Sequence, residues 1–152
     1  MGVTVGVNNL SVVHKDSGGV TIAFPDLCKT QVGPAVVPIP YPNIAKSSDT
    51  DKGSKKVTCD GNPICLKDSN FSTSVGDEPG ALKGIASSKT KGKAEFVNFS
   101  LDVKVEGKNV PRAFDLMLHN DKNTPPMPLL QAPIIVVAML DKPVCLCCGK
   151  EF

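Results

Sequence analysis

The sequence predicts an all-β fold, on the strength of a repeated hairpin phrase and a density of chain breakers that leaves little room for long helices. Val57-Thr-Cys-Asp-Gly-Asn-Pro-Ile64 reads against Val103-Lys-Val-Glu-Gly-Lys-Asn-Val110, 46 residues further on. Each copy is a short alternating strand, an acidic-Gly turn (Asp60-Gly61, Glu106-Gly107) and a second short strand, and each then runs into an aspartate, Asp68 or Asp115. Glycine after an acidic residue accepts the positive φ of a tight two-residue hairpin turn. One such hairpin cannot bury its own apolar face, so the copies must stack on each other or on a third. Thirteen Gly and thirteen Pro among 152 residues place a breaker about every six residues.

Length fits a single domain, residues 1–152. Apolar residues make up 41%, but there is no Trp, one Tyr and six Phe, so the core is expected to be thin, with something besides burial holding it. Along the chain, Val3, Val5 and Val7, then Val12 and Val13, then Val20, Ile22 and Phe24 alternate weakly, with Gly18-Gly19 as a turn. Pro34, Pro38, Pro40 and Pro42 predict an extended surface strap, short of backbone donors, within a strap-and-loop segment at 31–50. Gly76 to Gly80 reads as a turn and Ala81 to Gly92 as loop. Ala94 to Phe99 resumes strand, Asp121 to Pro128 is turn chemistry, and Ile134 to Leu140 reads as a last buried strand before a Cys-rich tail at 141–152.

Charge and motifs narrow the function classes. Net charge is +2, with 17 basic and 15 acidic residues interspersed. The one basic concentration (Lys83, Lys89, Lys91, Lys93) has no aromatic interleaved, so no nucleic-acid partner is expected. Met1 to Leu10 lacks the basic and apolar regions of a secretory signal. The longest apolar run, Ala132 to Leu140, is interrupted by Pro133 and too short to span a bilayer as a helix. A cytoplasmic start is expected, and six cysteines there favour thiols or metal ligands over disulfides. Asp77 and Glu78 are adjacent, so on an extended chain they point apart, which suits a turn better than a catalytic pair. No Ser/His/Asp arrangement, phosphate loop or His-x3-His helix is present, and the chain is expected not to be an enzyme.

Several phrases, read as a set, carry a resemblance. They are Val12-Val-His-Lys15, Phe24-Pro-Asp-Leu-Cys-Lys-Thr30, Pro38-Ile-Pro-Tyr-Pro-Asn43, Gly76-Asp-Glu-Pro-Gly80, Gly92-Lys-Ala-Glu-Phe96, Val103 to Val110, and Met117-Leu-His-Asn120. Together, over about residues 10–120, they resemble the PAAR-like proteins that cap the spike of type VI secretion systems and related contractile injection machines. The resemblance implies a small cone of short β-hairpins with long loops and pseudo-threefold symmetry, its three loops lying near Asp26, Asp68 and Asp115. It implies a flat base on a trimeric VgrG-like spike, ejection with that spike into a target cell, and transient membrane penetration without an anchor. Such a chain is a structural tip or an adaptor for effector cargo. The alternatives are a small zinc-binding interaction module, or a toxin enzyme.

The same resemblance implies a metal, usually zinc, held at the apex by His and Cys. A structural zinc site closes with four such ligands, and such sites supply on the order of 10 kcal/mol to folding. His119 stands four residues after Asp115, at the distance the family's motif places a His; an exposed loop His is the alternative. Cys28 follows Asp26 in what resembles a degenerate copy of the same loop, against a small buried Cys. Cys145, Cys147 and Cys148 offer a Cys-x-x-Cys half-site, with Cys145 and Cys148 as its ends, against a frayed tail. His14 is a fourth candidate, against a packed strand His. Cys59 and Cys65 replace apolar positions of the repeat and are expected in the core or on its flank, with a metal role or a redox pair as the alternatives.

Overall fold

The computed structural model describes residues 3–132. The expected strand at Ile134–Leu140 and the Cys-rich tail lie outside that range.

In chain order the elements are β1 (Gly6–Val7), β2 (Leu10–Ser11), β3 (Val20–Val32), β4 (Ala35–Lys46), a 3-10 turn at Ser47–Asp49, and β5 (Thr50–Asp51). They continue with β6 (Thr58–Cys59), β7 (Asn62–Pro63), β8 (Asn70–Phe71), β9 (Ala94–Phe96), β10 (Lys104–Val105), β11 (Lys108–Asn109), β12 (Leu116–Leu118) and β13 (Met127–Leu130). The described chain is all-β, as the breaker density requires, and every strand pair is antiparallel.

Both copies of the repeated phrase form the expected hairpins, β6–β7 and β10–β11, with positive φ at both central residues: 51° and 79° at Asp60-Gly61, 52° and 79° at Glu106-Gly107. A third hairpin of the same kind, β1–β2, turns at Asn8 (52°) and Asn9 (66°). The third copy therefore begins at the N-terminus and not near Asp26. It escapes the Asp-Gly signature because asparagine also tolerates the left-handed region.

The copies stay equivalent past the turn. The His14 N–H donates to Ser17 Oγ (3.2 Å) and the Ser17 N–H returns to His14 O (3.1 Å). Leu66 and Ser69 repeat the exchange at 2.7 and 2.9 Å, Arg112 and Asp115 at 2.6 and 3.1 Å. Ser17, Ser69 and Asp115 are thus the matching positions, while Asp68 lies one residue earlier and pairs at the surface with Lys108 (3.1 Å).

The hairpins close into a ring through their first turn residues. Asn8 Nδ2 donates to Asp102 Oδ1 (2.9 Å), ahead of the third hairpin. Glu106 accepts the Lys55 N–H (3.1 and 3.0 Å), ahead of the second. Asp60 accepts both the N–H (3.0 Å) and the hydroxyl of Thr4, ahead of the first. Val3, Val7, Val12, Ile64, Leu66 and Val110, drawn from all three copies, bury a small apolar plug beneath this ring. That is the stacking an isolated hairpin lacks.

The other strands form one sheet in the order β4-β3-β13-β12-β9-β8-β5. Its first and last strands, β4 and β5, are joined by a three-residue turn, so the sheet has to curl until its edges approach. The closure is visible beside β8, where Ile44 and Val75 exchange both backbone hydrogen bonds (2.7 and 2.8 Å). Inside lies a second apolar cluster (Val13, Ala45, Cys65, Phe71, Ala94, Phe96, Met117, Leu129), with the Phe71 and Phe96 rings edge-to-face at 5.8 Å.

The proline-rich segment is a strand and not a loose strap: β4 pairs with β3 along its length. Pro38, Pro40 and Pro42 sit at alternate positions, so the missing donors all face away from β3. Lys29, opposite Pro38, accordingly sends its backbone bonds to Lys83 and Leu82 (2.8 and 3.1 Å) and not to β4. The prolines leave the intervening ladder intact and blunt the free edge.

Candidate functional site

Two places concentrate unusual chemistry. The first is the hairpin ring, whose three matched turns give one polypeptide a threefold arrangement of hydrogen-bonding groups. The second is a buried polar cluster where β3, β4 and the loops after β8 and β12 converge.

In β3 the inward positions of an ordinary strand would be apolar, yet Thr21, Asp26 and Cys28 are all fully buried. The register shifts between Ala23 and Asp26, beside Pro25, and this re-aims the strand so that Asp26 and Cys28 face the same interior. Asp77 enters from the turn after β8. Its neighbour Glu78 points the other way and accepts the Gly76 N–H (2.7 Å), as adjacent residues on an extended chain should. One oxygen from each carboxylate and the Cys28 sulfur lie within 4.8 Å of one another. Gly80 makes room, since a Cβ there would stand 2.3 Å from Cys28 Cβ.

Asp26 is held by amide groups: Asn43 Nδ2 (2.8 Å), Asn120 Nδ2 (3.4 Å) and Asn123 Nδ2 all donate to it. The Lys91 N–H donates to Asp77 (3.1 Å). Among the described residues no Lys, Arg or His forms an ion pair with either carboxylate. Burial, with Asp26 alongside, pushes the Asp77 carboxyl up to about 6. Burial and the two carboxylates push the Cys28 thiol up to about 12. An Asp77 carboxyl and a Cys28 thiol raised in this way keep their protons at neutral pH unless a cation meets them.

Of the ligands expected from sequence, Cys28 is in this cluster. His119 is fully buried and adjacent, its Nε2 3.1 Å from Thr21 Oγ1 and its Nδ1 without a partner. Burial lowers it to about 4 against the opposing charge of Asp26. It is neither an exposed loop histidine nor one of the three gathered donors. His14 lies elsewhere, beneath the ring, with Nε2 3.4 Å from Asp60 Oδ2. Cys28, His119 and His14 therefore do not form one group. Cys145 and Cys148 fall outside the described residues. Cys65 is buried in the core, as expected, and Cys59 half-buried beside the plug.

Sequence reading missed Asp26 and Asp77 as site residues. The available signal was a carboxylate two residues from a cysteine within an otherwise apolar alternation. The donor chemistry fits a zinc-type ion, which accepts both thiolate sulfur and carboxylate oxygen.

The family described as the Toxin PAAR-like domain matches residues 19–126. The chain is 44% identical over 138 residues to the DNase toxin Tse7 of Pseudomonas aeruginosa (strain PAO1), an alignment covering 83% of this chain and 36% of that protein. The chain thus spans about a third of the length of this curated relative. No solved structure matches it. The relative corrects the expectation that the chain is not an enzyme: a protein sharing nearly half of its aligned residues is named as a DNase toxin, in line with the toxin alternative.

Proposed function

The chain belongs to the Toxin PAAR-like domain family, and from that premise we propose that it seats a DNase-type toxin on the tip of a type VI or related contractile spike. The observation that carries this reading is the ring. Three matched hairpins in one polypeptide present a trimeric partner with three similar sets of turn and strand-edge groups, as a VgrG-like spike would require. The 44% identity to a DNase toxin, over 36% of that protein's length, supports a toxin of that kind as the cargo. Loaded on the spike, the chain leaves the cell that made it when the sheath contracts and enters the target with the tip. Among the described residues no helix is long and apolar enough to cross a membrane.

Asp26, Cys28 and Asp77 would hold the metal of this tip. A zinc-type ion bound there would supply charge neutralisation to the buried donors. The residues contribute the rest: the Asn43, Asn120 and Asn123 amides orient Asp26, the Lys91 N–H orients Asp77, and the Cys28 thiol and Asp77 carboxyl would give up their protons to serve as ligands.

Co-expression with the trimeric spike protein of the same machine, followed by size-exclusion chromatography with light scattering, tests the reading. One chain per spike trimer is expected, and Gly61→Val/Gly107→Val, which strains two of the three turns, should abolish co-elution. Separate elution of the unmodified proteins would defeat it.

A further inference from the structure

The ring is threefold in its backbone but not in its side chains. His14, Leu66 and Arg112 occupy matching positions, each three residues before the Ser17, Ser69 or Asp115 that closes its turn. His14 reaches the second hairpin, with Nε2 3.4 Å from Asp60 Oδ2. Arg112 reaches the first, donating from its guanidinium to Asn8 Oδ1 (2.9 Å). The remaining pair in this cycle is Leu66 with Glu106, and leucine has no polar end to offer. An open cavity of about 430 Å³ lies there, lined by Leu66, Glu106, Gly53, Lys52, Lys55 and Lys108. Its size is that of a ligand site, roughly 300–1,000 Å³.

We propose that this slot between Leu66 and Glu106 receives an acidic side chain flanked by an aliphatic one, on a segment of a partner protein. The lining decides the sign. Three lysines and one carboxylate line the slot, and that carboxylate already accepts the backbone N–H groups of Lys55 and Lys56 (3.0–3.4 Å). Lys108 is shared with Asp68, whereas Lys52 and Lys55 have no ion pair among the described residues. An incoming carboxylate therefore meets a lining with two more lysines than carboxylates, and Leu66 in the same lining gives an adjoining aliphatic group an apolar contact. The inference rests on the docking reading and sharpens it: a true trimer offers three copies of its segment, this chain offers one slot, so one spike subunit fills it.

Fluorescence anisotropy with a labelled Leu-Glu-Leu-Glu-Leu-Glu peptide tests the slot without the spike. Saturable binding is expected, with at least tenfold weaker binding for the glutamine counterpart, for Lys52→Glu/Lys55→Glu, and for Leu66→Arg, which supplies the missing reach to Glu106. Equal binding of the glutamine peptide, indifference to the paired lysine reversal, or displacement by millimolar inorganic phosphate overturns the slot. A second arm uses immobilised spike trimer. Binding of the unmodified chain that weakens tenfold or more in Lys52→Glu/Lys55→Glu supports both ideas. Undiminished binding of that variant overturns the slot alone. If the unmodified chain does not bind the trimer, the docking reading falls and the peptide arm still decides the slot.

Discussion

Asp77 and His119 both feel Asp26 but tilt the pH dependence of stability in opposite directions. Asp77, raised to about 6, binds its proton more tightly folded than unfolded, so its contribution is present below its ordinary range and lost as pH rises through about 6. His119, lowered to about 4, is buried neutral, so its contribution is present above its ordinary value and lost as pH falls toward about 4. At pH 7.5 with chelator, Asp77→Asn should therefore raise the melting temperature by a few degrees and abolish any rise on adding zinc. A variant that melts lower in chelator yet keeps the zinc response would contradict the assignment. His119→Gln should close its stability gap with the unmodified protein as pH drops from 6.5 to 4, in paired denaturant titrations; a constant gap would show that His119 does not titrate with folding. At this scale the sequence was only partly legible. Cys28 and His119 stood out by residue type, whereas Asp26 and Asp77 became site residues only through a register shift in β3 and a turn that aims one of two adjacent acids inward.

Hairpins with glycine in the turn announce themselves, and the two Asp/Glu-Gly copies were readable for that reason. The Asn8-Asn9 copy was not, because asparagine marks many kinds of turn. Replacing Gly61 with Ala places a Cβ at φ 79° with open space around it, so strain alone should cost about 1–2 kcal/mol. Asn9→Gly should be neutral or slightly stabilising; urea midpoints for both distinguish a ring governed by turn conformation from one governed by side-chain contacts. In β4 the prolines hid a strand, since one proline usually ends a ladder. Their spacing of two was the missed clue, because it withholds donors from one edge only. Pro38→Val/Pro40→Val should restore two outward N–H groups and promote concentration-dependent association by light scattering; an unchanged monomer would mean the edge is protected by other means.

Over the whole molecule, two small cores do the work of one large one. The plug beneath the ring holds the hairpins, and the cluster around Phe71 holds the curled sheet, while the polar site joins β3 to the loops through the amides of Asn43, Asn120 and Asn123. Phe71→Ala removes a fully buried ring packed edge-to-face on Phe96, and should cost roughly 3–5 kcal/mol, a large part of a small domain's stability. The all-β class followed directly from composition and the repeat. The closure of the ring depends on three side-chain contacts between residues about fifty or more apart, and no local pattern encodes those.

The ring of hairpins is the proposed docking face for a trimer. Hydrogen–deuterium exchange on the chain alone and with the spike protein tests it directly. Added protection is expected at 6–11, 58–63 and 104–109 together, with the exposed arm at 31–38, the tip of the β3–β4 pair, unchanged. Protection confined to that arm, or to one hairpin without the other two, would contradict it.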